Sequence, residues 1–297
     1  MSAPRRRVLV TGASGLLGGR LAELLAAHHE VVAGRHHAAV PAGLPTVDLD
    51  LLSPASLVSA LESARPEVVV HAAALADADR CQAEPDLARR ANVDASAEVA
   101  RLCHARGARL IAISTDLVAS GERAWIREDD PAEPKLVYGR TKLAGEEAVL
   151  ATAPGAAVVR VALVLGRGFG PRATASEGIA RALSAGRRLA LFTDQFRTPI
   201  DAASVADALL RLIERPLAGR FHLGGPERLS RHELGLRVAR VLGLPDSGIE
   251  AATQAALPLG APRPADASLD SRRARAELDW APRALDDAIR DSRRADL

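Results

Sequence analysis

Aromatic residues are scarce in this sequence, and so are cysteine and lysine. Phe, Trp and Tyr together make up 2% of the 297 residues. This excludes a surface that stacks nucleic-acid bases on aromatic rings. The net charge of +2 is spread along the chain with both signs interspersed, so no basic patch indicates a nucleic-acid partner. Cys81 and Cys103 have neither a metal-ligand nor a redox spacing, and two cysteines suggest no disulfide framework.

The sequence also lacks long apolar runs. No stretch approaches the roughly 20 apolar residues that a membrane-spanning helix needs. The first apolar run is short and leads straight into glycines, unlike a signal peptide. We therefore expect a protein of the reducing cytoplasm that has no membrane partner.

Almost all basic residues of this chain are arginines, so the positions of the few lysines are informative. Of the 39 basic residues only two are lysines, and Lys142 stands four residues after Tyr138, the only tyrosine. On a helix these two residues share one face. A phenol near an ammonium is expected to have a lowered pKa and to act as a general acid or base. The spacing alone also fits an ordinary surface pair on an amphipathic helix.

A glycine-rich turn lies between the first predicted strand (7–11) and the helix that follows it. Its glycines have the spacing G-x-x-G-x-x-G. Such a turn lets the backbone approach a pyrophosphate, which then lies at the helix N-terminus. The residues predicted to contact a dinucleotide here are Gly12, Ser14, Gly15, Leu16, Leu17 and Gly18.

The end of the second predicted strand (30–34) indicates which nicotinamide cofactor is used. An Asp or Glu at this point binds the ribose 2′-hydroxyl of NAD, whereas an Arg accommodates the 2′-phosphate of NADP. Arg35 follows the strand with no acid beside it in the sequence, so NADP(H) is favoured over NAD(H). His36 and His37 come next, but no third ligand at a suitable spacing makes them a metal site.

Two more strand ends are assigned to the cofactor. A short third strand leads to Asp50 and Leu51, and we favour Asp50 over Asp48 for the adenine amino group. The fourth strand (67–71) ends in small residues that leave room for a cofactor at the ligand-binding edge of such a sheet. These small residues are Ala72, Ala73 and Ala74.

Predicted strands and helices alternate along the first half of the chain. This alternation is typical of an α/β fold with a doubly wound parallel sheet, the Rossmann fold. We expect residues 1–165 to form the NADP-binding domain and residues 166–297 to form mainly a smaller substrate-binding lobe, with 197–222 returning to the first domain. A long helix is predicted over 84–106 and a long loop over 117–134. Further helices are predicted over 174–185, 201–214, 230–242, 269–278 and 284–294.

Motifs in a fixed order resemble those of the extended short-chain dehydrogenase/reductases, and more closely their dTDP-4-dehydrorhamnose reductase family. The general motifs are TGASGLLG, HAAA, ISTD and YGRTK. The closer resemblance rests on AEPDLARRANVDAS, VYGRTKLAGE, DQFRTPI, FHLGG and RPADASLD. The resemblance covers nearly the whole chain. It implies hydride transfer from NADPH to the C4 ketone of a nucleotide-linked 6-deoxy sugar.

The resemblance also implies roles for single residues. Tyr138 would donate a proton to the substrate carbonyl, and Lys142 would hold the nicotinamide ribose and lower the pKa of Tyr138. Thr115 would hydrogen-bond the carbonyl oxygen. The other residues assigned to the substrate are Asp116, Leu163, Gln195 and Arg263. A homodimer is left open, and no ligand cluster predicts a metal.

The substrate half departs from the pattern of the family. The aromatic residues that follow STD in the family are replaced here by residues 117–121, and an expected tryptophan is Leu163. A related small carbonyl compound therefore stays open as the substrate. Two other functions also stay open. One is a non-catalytic NADP-binding regulatory subunit that resembles the beta subunit of methionine adenosyltransferase, and the other is a nucleotide-sugar epimerase or dehydratase.

Overall fold

Seven parallel strands form the central sheet of the computed structural model, which describes residues 4–257, 260–261 and 263–292. The strand order across the sheet is β11-β6-β5-β4-β1-β2-β3. Every pair of neighbours in it is parallel. These strands are β1 (Arg7–Thr11), β2 (Glu30–Arg35), β3 (Thr46–Asp48), β4 (Val68–His71), β5 (Arg109–Thr115), β6 (Ala157–Val161) and β11 (Gly219–Leu223).

Helices cover both faces of this sheet, because successive residues of a buried strand point to opposite sides. In β1, Val8 and Val10 pack on one face and Leu9 packs on the other. The first face carries α1 (Leu16–Ala26), α8 (Ala202–Glu214) and α10 (Arg272–Leu278). The second face carries α2 (Pro54–Ala64), α5 (Ala95–Arg106) and α6 (Val137–Thr152). The predicted doubly wound parallel sheet is confirmed.

The connection from β4 to β5 begins with two short helices. They are α3 (Ala78–Ala83) and α4 (Pro85–Arg89). A π-helical turn, Arg90–Asp94, joins α4 to α5. The helix predicted over 84–106 is therefore interrupted, and the interruption lies at Asn92.

A smaller lobe has its own apolar cluster, formed by α7 (Ala175–Ser184), α9 (Arg231–Leu242) and α11 (Leu285–Arg290). Short strands of the described residues pair with one another in two-stranded sheets that are separate from the central sheet. They are β7 (Val164–Leu165), β8 (Leu189–Phe192), β9 (Phe196–Arg197), β10 (Ile200–Asp201), β12 (Leu229–Ser230) and β13 (Ile249–Ala252). The capping boxes Thr174–Glu177 and Ser230–Glu233 begin α7 and α9.

The chain crosses between the two parts more than once. β11 lies at the edge of the central sheet beside β6. In the C-terminal stretch, Leu278 and Trp280 pack into the cluster of the first sheet face. The Trp280 indole donates a hydrogen bond to the Ser204 carbonyl, 2.9 Å away. Of the helix predicted over 284–294, residues 293–294 lie outside the described residues. In the described part, α11 ends at Arg290. Within the described ranges, every helix is too short or too polar to cross a bilayer.

Candidate active site

The glycine-rich turn packs against the end of β4 so tightly that two of its positions admit only glycine. Gly12 has φ 70°, and a Cβ there would lie 2.7 Å from the backbone N of Ala73. A Cβ on Gly18 would lie 2.3 Å from the Gly12 carbonyl oxygen. Gly15 N donates to that same carbonyl at 2.9 Å and forms the N-cap of α1 without a side-chain cap. The turn thus exposes backbone N–H groups at the start of a helix, which is the arrangement that binds a pyrophosphate.

The other residues predicted at the turn surround this helix start. Ser14 is half-buried, as are Leu16 and Leu17. On the β4 side, Ala73 N donates to Thr11 Oγ1 at 3.1 Å, which fixes the stretch of three alanines beside the turn. Ala72 and Ala74 are half-buried, and their methyl groups leave the crevice open. The residues present therefore fit a dinucleotide.

Arg35 ends β2, and it is not alone there. Its Nε donates to Asp48 Oδ1 at 3.0 Å, because the parallel pairing of β2 with β3 places these two residues opposite each other. No acid stands beside Arg35 in the sequence, but an acid contacts it in the folded chain. The acid comes from the neighbouring strand, 13 residues further along the chain.

Asp50 and Leu51 lie just beyond β3. Asp50 Oδ1 accepts a hydrogen bond from Leu52 N at 2.9 Å, and Asp50 N donates to Ser56 Oγ at 3.0 Å. Asp50 therefore shapes the turn into α2. Leu51 packs against the apolar cluster of the second sheet face.

Tyr138 and Lys142 lie on α6, beside the end of β5. Lys142 is 7% exposed, and its Nζ donates to the Ile113 carbonyl at 2.9 Å. Burial lowers the pKa of Lys142 to about 8, although the Glu146 carboxylate acts to raise it. Lys142 thus joins the helix to the strand that carries Thr115.

The pKa of Tyr138 is raised in this structure. Burial is the main cause, the Asp116 carboxylate adds to it, and the Thr115 hydroxyl opposes it. The expectation that the Lys142 ammonium lowers the pKa of Tyr138 is therefore wrong here, because burial and Asp116 dominate. Tyr138 is consequently a protonated phenol at neutral pH, which is the state that a proton donor needs.

Thr115 and Asp116 follow β5 and form the polar end of the site. The Thr115 hydroxyl donates to Asp116 Oδ1 at 3.1 Å. Arg197 Nε lies 3.5 Å from Asp116 Oδ2, and both side chains are nearly buried. Burial raises the pKa of the Asp116 carboxyl, whereas Arg197 and a backbone hydrogen bond from Leu163 act to lower it. Thr115, Asp116 and Leu163 are therefore brought together, and Tyr138 is close enough to Asp116 for its pKa to be affected.

Gln195 and Arg263 lie further out in the smaller lobe. The Gln195 amide donates to Gln254 Oε1 at 3.4 Å. Arg263 Nη2 donates to Asp79 Oδ1 at 3.0 Å, so it bridges to the first turn of α3. Arg263 still affects the site electrostatically, because its charge lowers the pKa of Arg197. Within the described ranges, no group of His, Cys, Asp and Glu is arranged to hold a metal ion.

Asn92 connects the segment after β4 to α6, and sequence analysis gave it no role. Its Oδ1 accepts from Leu75 N at 2.9 Å. Its Nδ2 donates to the Leu75 carbonyl at 3.1 Å and to Thr141 Oγ1 at 3.0 Å. The Thr141 hydroxyl in turn donates to the Tyr138 carbonyl at 3.0 Å. The π-helical turn is what directs Asn92 into this position, and no sequence signal predicted that turn.

His71 extends this network to the glycine-rich turn. Its Nδ1 lies 2.8 Å from Thr11 Oγ1, and its Nε2 lies 3.2 Å from Ser96 Oγ. The Ser96 hydroxyl donates to the Asn92 carbonyl at 2.8 Å. Burial lowers the pKa of His71 to about 3, so the ring is neutral. A continuous set of hydrogen bonds therefore runs from the floor of the cofactor crevice to α6.

Glu146 is a further residue that sequence analysis missed. It receives hydrogen bonds from Ser114 Oγ at 2.5 Å, from Arg160 Nη2 at 2.8 Å and from Arg220 Nε at 3.0 Å. Glu146 and Arg160 are each 2% exposed. Its position four residues after Lys142, on the same helix face, is the signal that could have drawn attention to it.

Comparison with known proteins agrees with this geometry. The family model for the RmlD substrate binding domain matches residues 6–295. The dTDP-4-dehydrorhamnose reductase of Streptomyces griseus is 37% identical over 278 residues, which cover 91% of this chain and 87% of the relative. The methionine adenosyltransferase 2 subunit beta of Pongo abelii is 34% identical over 281 residues, which cover 91% of this chain and 82% of the relative.

A solved structure with the same fold contains a cofactor. The dTDP-4-dehydrorhamnose reductase of Bacillus anthracis in complex with NADP superposes with a TM-score of 0.86 at 23% identity. The superposition covers 97% of this chain and 98% of that one. At this identity the likeness establishes the fold, including the sheet edge on which the residues described above lie.

Proposed function

Because the chain belongs to the family of the RmlD substrate-binding domain, we propose that it is an NADP(H)-dependent reductase. Its substrate is a nucleotide-linked 4-keto-6-deoxy sugar, whose C4 ketone is reduced. NAD(H) is the alternative coenzyme. One observation carries the proposal. The dinucleotide cradle at Gly12 and the group of Thr115, Tyr138 and Lys142 lie at the same carboxyl edge of one parallel sheet. Ligands bind at this edge in open α/β sheets.

The residues of the chain supply orientation and a proton, and the nicotinamide supplies the hydride when it is bound. Tyr138 holds the proton that the carbonyl oxygen takes up, because its pKa stays above neutral. The Thr115 hydroxyl has a single proton, which it donates to Asp116 Oδ1 in the structure and which it would turn towards the same oxygen when substrate binds. Lys142, charged at neutral pH, is the donor available for the nicotinamide ribose hydroxyls.

The test follows the loss of reduced-nicotinamide absorbance with NADPH and then NADH on a dTDP-4-keto-6-deoxy sugar. Tyr138→Phe should lower turnover by a factor of roughly a hundred or more, because the general acid is lost. It should leave NADPH binding, measured by titration calorimetry, nearly unchanged. Equal turnover by the variant would remove Tyr138 from the mechanism.

A second candidate function is a regulatory subunit that binds NADP and does not turn it over. The similarity to a methionine adenosyltransferase beta subunit favours it. So does the replacement of an expected substrate-site tryptophan by Leu163. NADPH binding without turnover of any keto-sugar, together with a stable complex with a methionine adenosyltransferase catalytic subunit, would select this function over the reductase.

The division into domains and the cellular location belong to the same proposal. We assign residues 1–165 to the cofactor and residues 166–297 mainly to the substrate, with 197–222 returning to the first domain. The separate apolar cluster of the smaller lobe supports the division. A cytoplasmic location is supported by the free thiols of Cys81 and Cys103. The proposal leaves a homodimer open.

A further inference from the structure

The segment that joins β7 to α7 passes beside the start of α1. This segment, residues 166–172, has the sequence GRGFGPR. Phe169 N donates to the Leu16 carbonyl at 3.0 Å. A Cβ on Gly168 would lie 3.0 Å from Leu16 Cγ, so the backbone of the segment comes close to this side chain as well. Leu16 is the first residue of α1 and belongs to the turn that we assign to the cofactor pyrophosphate.

The side chain of Phe169 covers bare backbone further along the same helix. A Cβ on Gly19 would lie 2.3 Å from Phe169 Cδ1 and 2.7 Å from the Ala13 carbonyl oxygen. The half-buried ring therefore lies beside the point at which α1 meets the glycine-rich turn. Glycine weakens a helix interior relative to alanine, so Gly19 is unfavourable for α1 by itself. The close approach of the ring and of the turn explains why a glycine stands there.

The segment 166–172 is also fixed to the start of α7, by buried polar groups. Gly166 N donates to Ser176 Oγ at 2.8 Å, and the Thr174 hydroxyl donates to the Gly166 carbonyl at 2.7 Å. Gly168 N and Thr174 N both donate to the Glu177 carboxylate, at 3.4 Å and 2.9 Å. The position of the segment is therefore set by α7, whose apolar face belongs to the core of the smaller lobe.

The same stretch of chain leads back to the residues assigned to the substrate. Leu163 precedes β7, and a hydrogen bond from its backbone lowers the pKa of the Asp116 carboxyl. The Leu163 carbonyl accepts from Ile200 N at 3.0 Å. Only residues 164–168 separate Leu163 from Phe169 in the sequence. One short run of chain, hydrogen-bonded at both ends, therefore joins the substrate end of the site to the glycine-rich turn.

The glycine-rich turn is the part of this contact that a ligand changes. Its glycines make the backbone conformationally permissive, and Gly12 has φ 70°. Gly15, the N-cap of α1, offers no side-chain acceptor to the first N–H groups of the helix. A pyrophosphate that accepts hydrogen bonds from these groups orders the turn. The segment that contacts the start of α1 is stabilised by the same event.

We propose that Phe169 is a positioning residue that couples the cofactor turn to the smaller lobe. The proposal rests on the reductase function and deepens it, because it assigns the contact through which bound cofactor stabilises the substrate lobe. A dinucleotide on the turn favours one arrangement of the turn and α1, and Phe169 transmits it to the segment 166–172 and α7. The exposed ion pair between Arg172 and Asp77, at 4.0 Å, adds little to this contact. By linkage, the lobe in turn favours cofactor binding.

The experiment measures hydrogen exchange of the full-length protein with and without NADPH, for the parent chain and for Phe169→Ala. Leu236→Ala is the matched control, because Leu236 is an exposed apolar residue on α9 of the same lobe. In the parent chain NADPH should slow exchange in the turn and, by about fivefold or more, at residues 166–178. In Phe169→Ala it should slow exchange in the turn only. Leu236→Ala should behave like the parent chain in both regions.

Calorimetric titration with NADPH gives a second readout. Phe169→Ala should weaken NADPH binding about five- to tenfold, because the turn loses a contact that holds it in the binding-competent arrangement. Phe169→Leu keeps an apolar side chain against Gly19 and should recover most of the affinity and of the protection. Faster exchange throughout the smaller lobe of Phe169→Ala, already without NADPH, would show a merely structural role and overturn the proposal.

The other outcomes separate this coupling from the reductase function. Equal protection of residues 166–178 in Phe169→Ala and in the parent chain would overturn the coupling, as would a parent chain that binds NADPH without protecting these residues. A parent chain that does not bind NADPH would overturn both the coupling and the proposed function. If NADPH protects the segment through Phe169 but no keto-sugar is reduced, the coupling stands and the reductase function fails.

Discussion

Glu146 is the carboxylate of a buried charge cluster, and it lies four residues after Lys142 on α6. It accepts hydrogen bonds from Ser114 and from two arginines, of which Arg160 is almost fully buried. A buried ion pair contributes little stability by itself, but removal of one partner leaves the other charge uncompensated. The Glu146 charge also acts to raise the pKa of Lys142. The cluster therefore supports both the fold and the charge state of the site.

Glu146→Gln tests this cluster. The amide keeps the shape of the side chain but removes the charge opposite Arg160, so the free energy of unfolding should fall by about 3–5 kcal/mol. Glu147→Gln, one residue along and exposed, should stay within about 0.5 kcal/mol of the parent chain. Urea unfolding followed by circular dichroism gives both values. Equal midpoints for the two variants would show that the buried charge has no stabilising role.

At the residue scale, the groups that chemistry requires were predictable and the groups that hold them were not. Tyr138 and Lys142 stood out because each residue type is rare in this chain. The contact of Asp48 with Arg35 was not foreseen, because it depends on which strands pair.

The helix α6 is held against the π-helical turn by glycines as well as by hydrogen bonds. A Cβ on Gly145 would lie 2.3 Å from the Asn92 carbonyl oxygen, and a Cβ on Gly139 would lie 2.2 Å from the Leu117 carbonyl oxygen. Glycine normally weakens a helix interior by roughly 0.5–1 kcal/mol relative to alanine. Here glycine lets the backbone of α6 come close to the backbone at Asn92 and at Leu117. The position of Tyr138 therefore depends on residues 139 and 145 having no side chain.

Gly145→Ala should therefore destabilise the protein although it improves helix propensity. The methyl group would force α6 away from Asn92, which should lower the unfolding midpoint and also the turnover number, since the helix carries Tyr138. Gly178→Ala on α7 is the control, because the nearest atom to its added Cβ lies 4.0 Å away. That variant should be stabilised by up to about 1 kcal/mol. A stabilised Gly145→Ala would refute the packing argument.

At the element scale, strands and capped helices were predicted well where local chemistry determines them. The apolar runs of β1, β4 and β5 and the Ser230–Glu233 capping box are local signals. The π-helical turn was not predictable, because the residues that Asn92 contacts, Leu75 and Thr141, lie 17 and 49 positions away in the sequence. The return of Trp280 to the first sheet face was not predictable either, since its partner, the Ser204 carbonyl, is 76 residues away.

At the scale of the whole molecule, two buried neutral histidines make stability depend on pH. His71 and His222 both have a pKa lowered to about 3, and burial is the main cause in each case. In the unfolded chain a histidine titrates near about 6.5. Between these values the unfolded state binds more protons than the folded state. The stabilising contribution is therefore complete above pH 6.5 and is lost as the pH falls towards 3.

Each histidine should contribute a slope of about 1.4 kcal/mol per pH unit to the free energy of unfolding once the pH is well below 6.5. The raised pKa values of the Asp116 and Glu128 carboxyls act in the opposite direction, so the slope is best assigned by difference. His71→Gln should remove about 1.4 kcal/mol per pH unit from the slope near pH 5, whatever its effect on stability at pH 7. His104→Gln, at an exposed position on α5, should leave the slope unchanged. Urea unfolding at several pH values between 7 and 5 measures the slopes, and a His71→Gln slope equal to that of the parent chain would mean that His71 takes up its proton without unfolding.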